Sequence, residues 1–256
     1  SGDLTDCNIH DNVAFSDDFG GGGVFVVGVA NFEGCNIHDN NAAWGYGGGL
    51  YIDGTATLTD TNVYANKADL GAGVYVGSNG VANFEGCNIH DNKATDGGGG
   101  LFITGTATLT DTNVYDNRAD DGGGLDIRGT ATLTNTNVYS NEAGVSGGGL
   151  YISGKATLTD TNVYANRATG DYPGGGVYVY SGGEATLINS NVYLNVAAGY
   201  GGGLYVYYGG TATLTNTNVY DNRADGLGGF GAGGGGGLYV HGTATLINSN
   251  IYSNTA

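Results

Sequence analysis

Apolar and polar residues alternate in short runs along the chain, and the runs return in the same order. In Gly47 to Ala68, Leu50-Tyr51-Ile52 sends Leu50 and Ile52 to one face and Tyr51 to the other. Thr55 to Thr59 does the same with Ala56 and Leu58 against three threonines, and Asn62-Val63-Tyr64 directs Val63 inward. A period of two marks a strand buried on one face. No stretch has a 3.6-residue period, and glycine and β-branched residues dominate, so helices are excluded.

The unit repeats to the end of the chain. Aligned on Leu58, it gives Leu4, Phe32, Leu58, Phe84, Leu109, Leu133, Leu158, Leu187, Leu214 and Leu246, with spacings of 24 to 32 residues. A period in that range is a solenoid signature. Three short strands cannot bury a core alone. Wound into one coil and paired with the next at about 4.8 Å, they can, and ten coils make a rod of roughly 48 Å. The expected fold is all-β, one parallel β-helix domain over residues 1–256 with about ten coils and three short strands per coil. Its core is formed by columns such as Val24, Leu50, Val74, Leu101 and Ile9, Ile37, Val63, Ile89.

Two asparagine columns are unbroken, one from Asn8, Asn36 and Asn62 to Asn250, the other from Asn12, Asn40 and Asn66 to Asn254. A carboxamide both donates and accepts, so stacked copies can bond to one another and to the turn backbone. The Asp60 position is always Asp, Asn or Gly, as a turn residue at positive φ requires. Copies differ mainly between the second Asn column and the next Gly-Gly-Gly, at segments such as Asp17-Asp18, Trp44, Tyr46, Asp171-Tyr172-Pro173 and Arg223 to Gly237. These insertions fall on one edge of the rod, where solenoids often bind.

The run Gly147 to Gly154 (GGGLYISG), followed by Ala156 to Ala168 (ATLTDTNVYANRA), resembles the repeats of polymorphic outer membrane proteins and related surface proteins. The resemblance covers essentially the whole chain. It implies a right-handed helix, an extracellular or cell-surface location and an adhesive or structural role, and it transfers no catalytic residue. The family's Phe-x-x-Asn becomes Val63-Tyr64-Ala65-Asn66 here, and the C-terminal β-barrel of the autotransporting members is absent from the sequence.

Composition narrows the partners. With seven Lys and Arg against 24 Asp and Glu, the net charge is −17, which disfavours nucleic acid and anionic membranes. The longest apolar run, Val24 to Ala30, is far below the roughly 20 residues of a membrane helix, and no Asn-x-Ser/Thr sequon occurs. Five of the seven basic residues, Lys67, Lys93, Arg118, Arg167 and Arg223, follow the second Asn column, and Asp69, Asp120 and Asp225 come two residues later, a spacing that suggests solvated ion pairs. The chain begins and ends within a coil without a polar cap, so a fragment of a longer array, or end-to-end stacking into filaments, is expected.

Candidate chemistry lies in outward columns. One is aromatic, with Phe25, Tyr51, Tyr75, Phe102, Tyr151, Tyr178, Tyr205 and Tyr239, broken by Asp126; a second runs through Tyr64, Tyr115, Tyr139 and onward, with His10, His38 and His90 in place of Tyr. Exposed rings suit sugars or another protein surface, whereas stacked rings simply stabilise parallel ladders. A third column, including Thr108, Thr132 and Thr157, resembles the face of ice-binding solenoids, although Asn31, Glu33, Asn83, Glu85, Ile188 and Ile247 break the array. Asp17, Asp18, Asp120, Asp121 and Asp126 are weak calcium candidates, and no other cofactor is expected. His10 and His38 share a column on adjacent coils. Cys7 and Cys35 also share one and fall within disulfide range, or serve as small internal fillers. Parallel β-helices include polysaccharide lyases and hydrolases, but no second carboxylate is expected to converge on the Asp126-Arg128 break, so the chain reads as a non-enzyme.

Overall fold

A computed structural model describes residues 2–15, 20–170, 173–226 and 234–256. Asp17, Asp18, Asp171 and Tyr172 lie outside the described residues. The chain is a right-handed parallel β-helix whose described strands form four sheets, two of ten strands and two of nine. All pairings are parallel and join each strand to its equivalent one repeat away, as in Thr106↔Thr130 and Leu109↔Leu133. Four strands per coil correct the three expected from sequence. The Thr-rich strands (Thr55–Thr59), the Asn strands (Asn62–Tyr64) and the Gly-Tyr strands (Leu50–Ile52) fall as the alternation requires.

The additional sheet contains Lys67–Leu70, Arg118–Asp121 and Glu142–Ser146, directly after the second Asn column. One inward alanine per coil holds it, as at Ala42, Ala68, Ala94 and Ala119, which are buried together beside the main core. Its strands vary from two residues to five, and its pairings contain register shifts.

The core consists of the expected aliphatic columns, all closed to solvent in the central coils. Stacked asparagines close the corner. Asn117 Nδ2 donates to Ile89 O at 2.9 Å and to Asn141 Oδ1 at 3.0 Å, while its own Oδ1 accepts from the Asn92 backbone N–H and from Asn92 Nδ2. The other Asn column forms a half-buried ladder on the same principle, as Asn113 Nδ2 donates to Asn88 Oδ1 at 3.0 Å.

The Asp60 column has positive φ throughout, from Asp6 to Asn248. A second left-handed column follows the Asn strands and includes Asp39, Ala65, Asp91, Asp116, Ala165, Leu194 and Asp221. Asp and Asn tolerate this conformation, but a branched aliphatic side chain does not. Leu194, exposed at φ 56°, is the least suited of them. Leu194→Asn is expected to stabilise the fold by about 1 kcal/mol, read as a higher urea midpoint at unchanged slope; a lower midpoint would mean that Leu194 makes a packing contact outweighing the strain.

Candidate functional site

The outward aromatic column of the Gly-Tyr sheet is built as expected, Tyr51, Tyr75, Phe102, Asp126, Tyr151, Tyr178, Tyr205 and Tyr239 lying in register on successive strands. Its surroundings correct the expectation of exposed rings. Phe102 and Tyr205 are 2% exposed, Tyr178 and Tyr51 4%, Tyr75, Tyr151 and Tyr239 reach partly into solvent, and Phe25, in register with Tyr51 on the first coil of the sheet, is the one ring of the column that is exposed as expected. Two flanking rows cover them. One comes from the variable segment, where Tyr46 stacks on Tyr75 at 4.9 Å and Tyr200 on Tyr239 at 4.9 Å. The other comes from the turn two residues after each ring, where Arg128 lies 4.6 Å from the Phe102 centroid and Tyr180 5.8 Å from Tyr151. Desolvation raises the phenol pKa of Tyr51 to about 12 and shifts those of Tyr151 and Tyr178 upward as well.

The second aromatic column is a continuous stack of His and Tyr rings from His10 to Tyr252, with centroids 4.6 to 5.2 Å apart and nearly parallel planes. Each interior ring has a neighbour on both faces, so a sugar could meet only the edges. His10, His38 and His90 each place Nδ1 2.7 or 2.8 Å from the following aspartate.

Exposed rings of a different kind lie side by side in the turn at three late coils, which the outward-column pattern did not single out. Tyr180 is 41% and Tyr208 71% exposed, Tyr207 stacks on Tyr180 at 5.5 Å, and His241 meets Tyr208 edge-on at 6.4 Å. Earlier coils place Asp53, Gly77, Thr104, Arg128 and Ser153 in that row. The sequence signal was a second ring beyond the repeat's own, Val177-Tyr-Val-Tyr180 and Leu204-Tyr-Val-Tyr-Tyr208.

At the coil where Asp126 replaces a ring, the structure brings together more than the sequence suggested. The carboxyl of Asp126 is 0% exposed and accepts from Arg128 Nε at 3.3 Å and Nη2 at 3.0 Å. Burial outweighs this pairing and raises its pKa to about 6, and Asp121 adds to the rise. Asp121 pairs in register with Gly97, where an added Cβ would meet Asp126 Oδ2, so a second carboxylate lies beside the first, contrary to the expectation that none converges there. Its own pKa is also raised, by burial first, and Oδ1 is a buried acceptor without a hydrogen-bond partner. Left-handed Gly122, φ 58°, opens the turn that returns the chain from Asp121 to Asp126. Asp120 is exposed and lies one residue earlier on the same strand. Among the described residues, no three His, Cys, Asp or Glu side chains are grouped to hold a metal ion.

The threonine column, including Thr108, Thr132 and Thr157, runs in register at half exposure along the Thr-rich sheet, with a Lys155-Glu184 ion pair of 3.5 Å at its edge. The proposed Lys/Arg pairing with acids two residues on occurs at Arg223-Asp225, at 2.7 Å. Elsewhere Arg118 reaches Glu142 on the next coil, and Asp69 accepts from Thr95. Cys7 and Cys35 are free thiols rather than a disulfide. Cys35 Sγ donates to Leu4 O at 3.3 Å, as Thr136 Oγ1 does to Leu109 O, so the thiol stands in for the hydroxyl of that column. Burial pushes the Cys87 thiol up to about 11.

These features define a parallel β-solenoid with a covered aromatic strip, one ionic break and one tyrosine-rich exposed end. The chain belongs to the right-handed beta helix region family, whose model matches residues 1–119, 48–200 and 99–256. No curated protein and no solved structure matches it.

Proposed function

We propose that this chain is a non-enzymatic, extracellular structural and adhesive repeat protein of the polymorphic outer membrane protein type, and that Tyr180, Tyr207 and Tyr208 make its contact with glycans. One observation carries the reading. These rings stand where earlier coils have small or charged residues, and the buried rings of Tyr178 and Tyr205 already fill the strip behind them. Tyr208, 71% exposed, therefore does little for the core. Rings held on a rigid scaffold offer large contact area with little ordering entropy, and their hydroxyls can bond to sugars. The stacked Asn and ring ladders provide that rigidity. The Thr face is interrupted by Asn31, Asn83 and the Lys155-Glu184 pair, and we read it as a wall of the rod.

Glycan-array binding by the intact chain, followed by titration of the best ligand, tests this. Tyr180→Ala and Tyr208→Ala are each expected to weaken binding about ten-fold with little change in melting temperature, while Trp44→Ala, an exposed ring elsewhere, leaves it intact. Equal loss in all three variants, or none in the tyrosine variants, would refute the assignment. Adhesion to a protein surface without glycan binding would transfer the patch to another class of partner. Tyr178→Ala is unsuitable because that ring is buried, and its removal would act through stability.

A further inference from the structure

We propose that the coil carrying Asp121, Asp126 and Arg128 is a subsite for one ring of a neutral, hydroxyl-rich sugar, next to the tyrosine patch. The inference rests on the glycan reading above and assigns it a second point of contact. Three rows carry charged residues at this coil. The covering row acquires Asp121, between Gly97 and Ser146; the strip acquires Asp126, between Phe102 and Tyr151; the turn row acquires Arg128, between Thr104 and Ser153. A ring in place of Asp126 would continue the stack, and apolar replacement of a buried ion pair is often neutral or stabilising. Arg128 covers the Phe102 ring, a task that an apolar side chain could perform without burying a carboxylate.

Hydrogen-bond chemistry selects the ligand. Ser146 hydrogen-bonds the Asp121 carboxylate, but the Oδ1 atom is left without a partner, and buried acceptors in native proteins almost always have one. Arg128 bonds Asp126 through Nε and Nη2, its Nη1 takes no part in that contact, and its side chain is 48% exposed. Acceptor and donor thus lie in one cluster, since Asp121 pairs in register with Gly97, where an added Cβ would meet Asp126 Oδ2, and the same oxygen accepts from Arg128 Nη2. A free cation would be drawn to the carboxylates but repelled by Arg128. An anion would be drawn to Arg128 but repelled by two carboxylates. A hydroxyl donates to Asp121 Oδ1 and accepts from the guanidinium, so a vicinal diol uses both. Tyr151, below Asp126 in the strip and 5.8 Å from Tyr180, joins the coil to the patch.

NMR titration of the intact chain with methyl glycosides of neutral sugars, followed at the amides of residues 121–126 and at Arg128 Nε–H, tests the subsite. Saturable shifts are expected there. Asp121→Asn, which replaces an acceptor oxygen by a donor amide, should weaken them at least ten-fold, whereas Tyr208→Ala should leave the monosaccharide response intact. Shifts confined to the tyrosine patch would overturn the subsite and leave the adhesive reading standing. Shifts at residues 121–126 together with no effect of the tyrosine variants on glycan binding would do the reverse. A response to calcium chloride but not to sugar, or to a methyl uronate in preference to its neutral counterpart, would make this an ion site and overturn the proposal. Silence to every sugar at both places would remove both readings.

Discussion

Asn117→Ala is expected to cost roughly 3–5 kcal/mol, the summed penalty of several buried groups losing hydrogen bonds. The side chain is buried in mid-rod and takes part in contacts with three neighbours. Its loss removes the acceptor for the Asn92 backbone N–H, at 3.1 Å, and the donor for Ile89 O, at 2.9 Å. Asn92 Nδ2 and Asn141 Oδ1 lose one partner each but keep another, Val63 O and the Asn117 backbone N–H respectively. The Asn92 N–H is thus stranded, and Ile89 O, which keeps its place in the parallel ladder, is weakened with the other two, in a corner with no route to water. Asn113→Ala, one ladder away and half-buried, should cost only about 1 kcal/mol because solvent can replace what it loses. Asn117→Asp should be at least as damaging as Asn117→Ala, since a carboxylate would face Ile89 O and Asn141 Oδ1 without a donor. Urea unfolding of the three variants gives the comparison. Equal costs at Asn117 and Asn113 would show that the inner ladder is not the chief polar support of the corner.

Those ladders were legible because each position repeats with its own chemistry. Asn at a fixed step after a strand and Asp, Asn or Gly at the Asp60 turn have few physical readings, and φ near +50° at Asp60, Asp111 and Asp160 agrees. The additional strand was not legible. Its inward residue is alanine, too small to signal a buried face, and its length varies with the insertions. The burial of the Tyr51, Phe102, Tyr178 and Tyr205 rings was hidden for a related reason. Alternation correctly sends them away from the core, but what covers them, Tyr46, Tyr200 and the turn residues, occupies segments without fixed spacing. Of the candidate site, the break at Asp126 and Arg128 could be read directly. The approach of Asp121 could not, because it depends on the left-handed turn at Gly122, which brings residues five apart in sequence into one cluster. The coincidence of charged residues in three rows at one coil was the available signal.

The ionic coil also makes a testable thermodynamic demand. Asp126 has a folded pKa of about 6, raised first by burial, against about 3.9 for an unfolded aspartate. Between those values the folded state binds a proton that the unfolded state has released, so stability falls as pH rises from about 4 to about 6. Below about 4 both states are protonated and the penalty vanishes; above 6 it is complete, at roughly 3 kcal/mol. Asp121, raised for the same first reason, acts in the same direction. Asp126→Asn should therefore stabilise the protein at pH 7 by up to about that amount, match it near pH 4, and flatten the slope between. The cost to Arg128 of losing its partner is small, because its side chain is 48% exposed and can turn to water. Unfolding free energies of both proteins from pH 4 to pH 8 decide the matter; an Asp126→Asn variant less stable than the parent at pH 7 would mean that the Arg128 pairing outweighs desolvation.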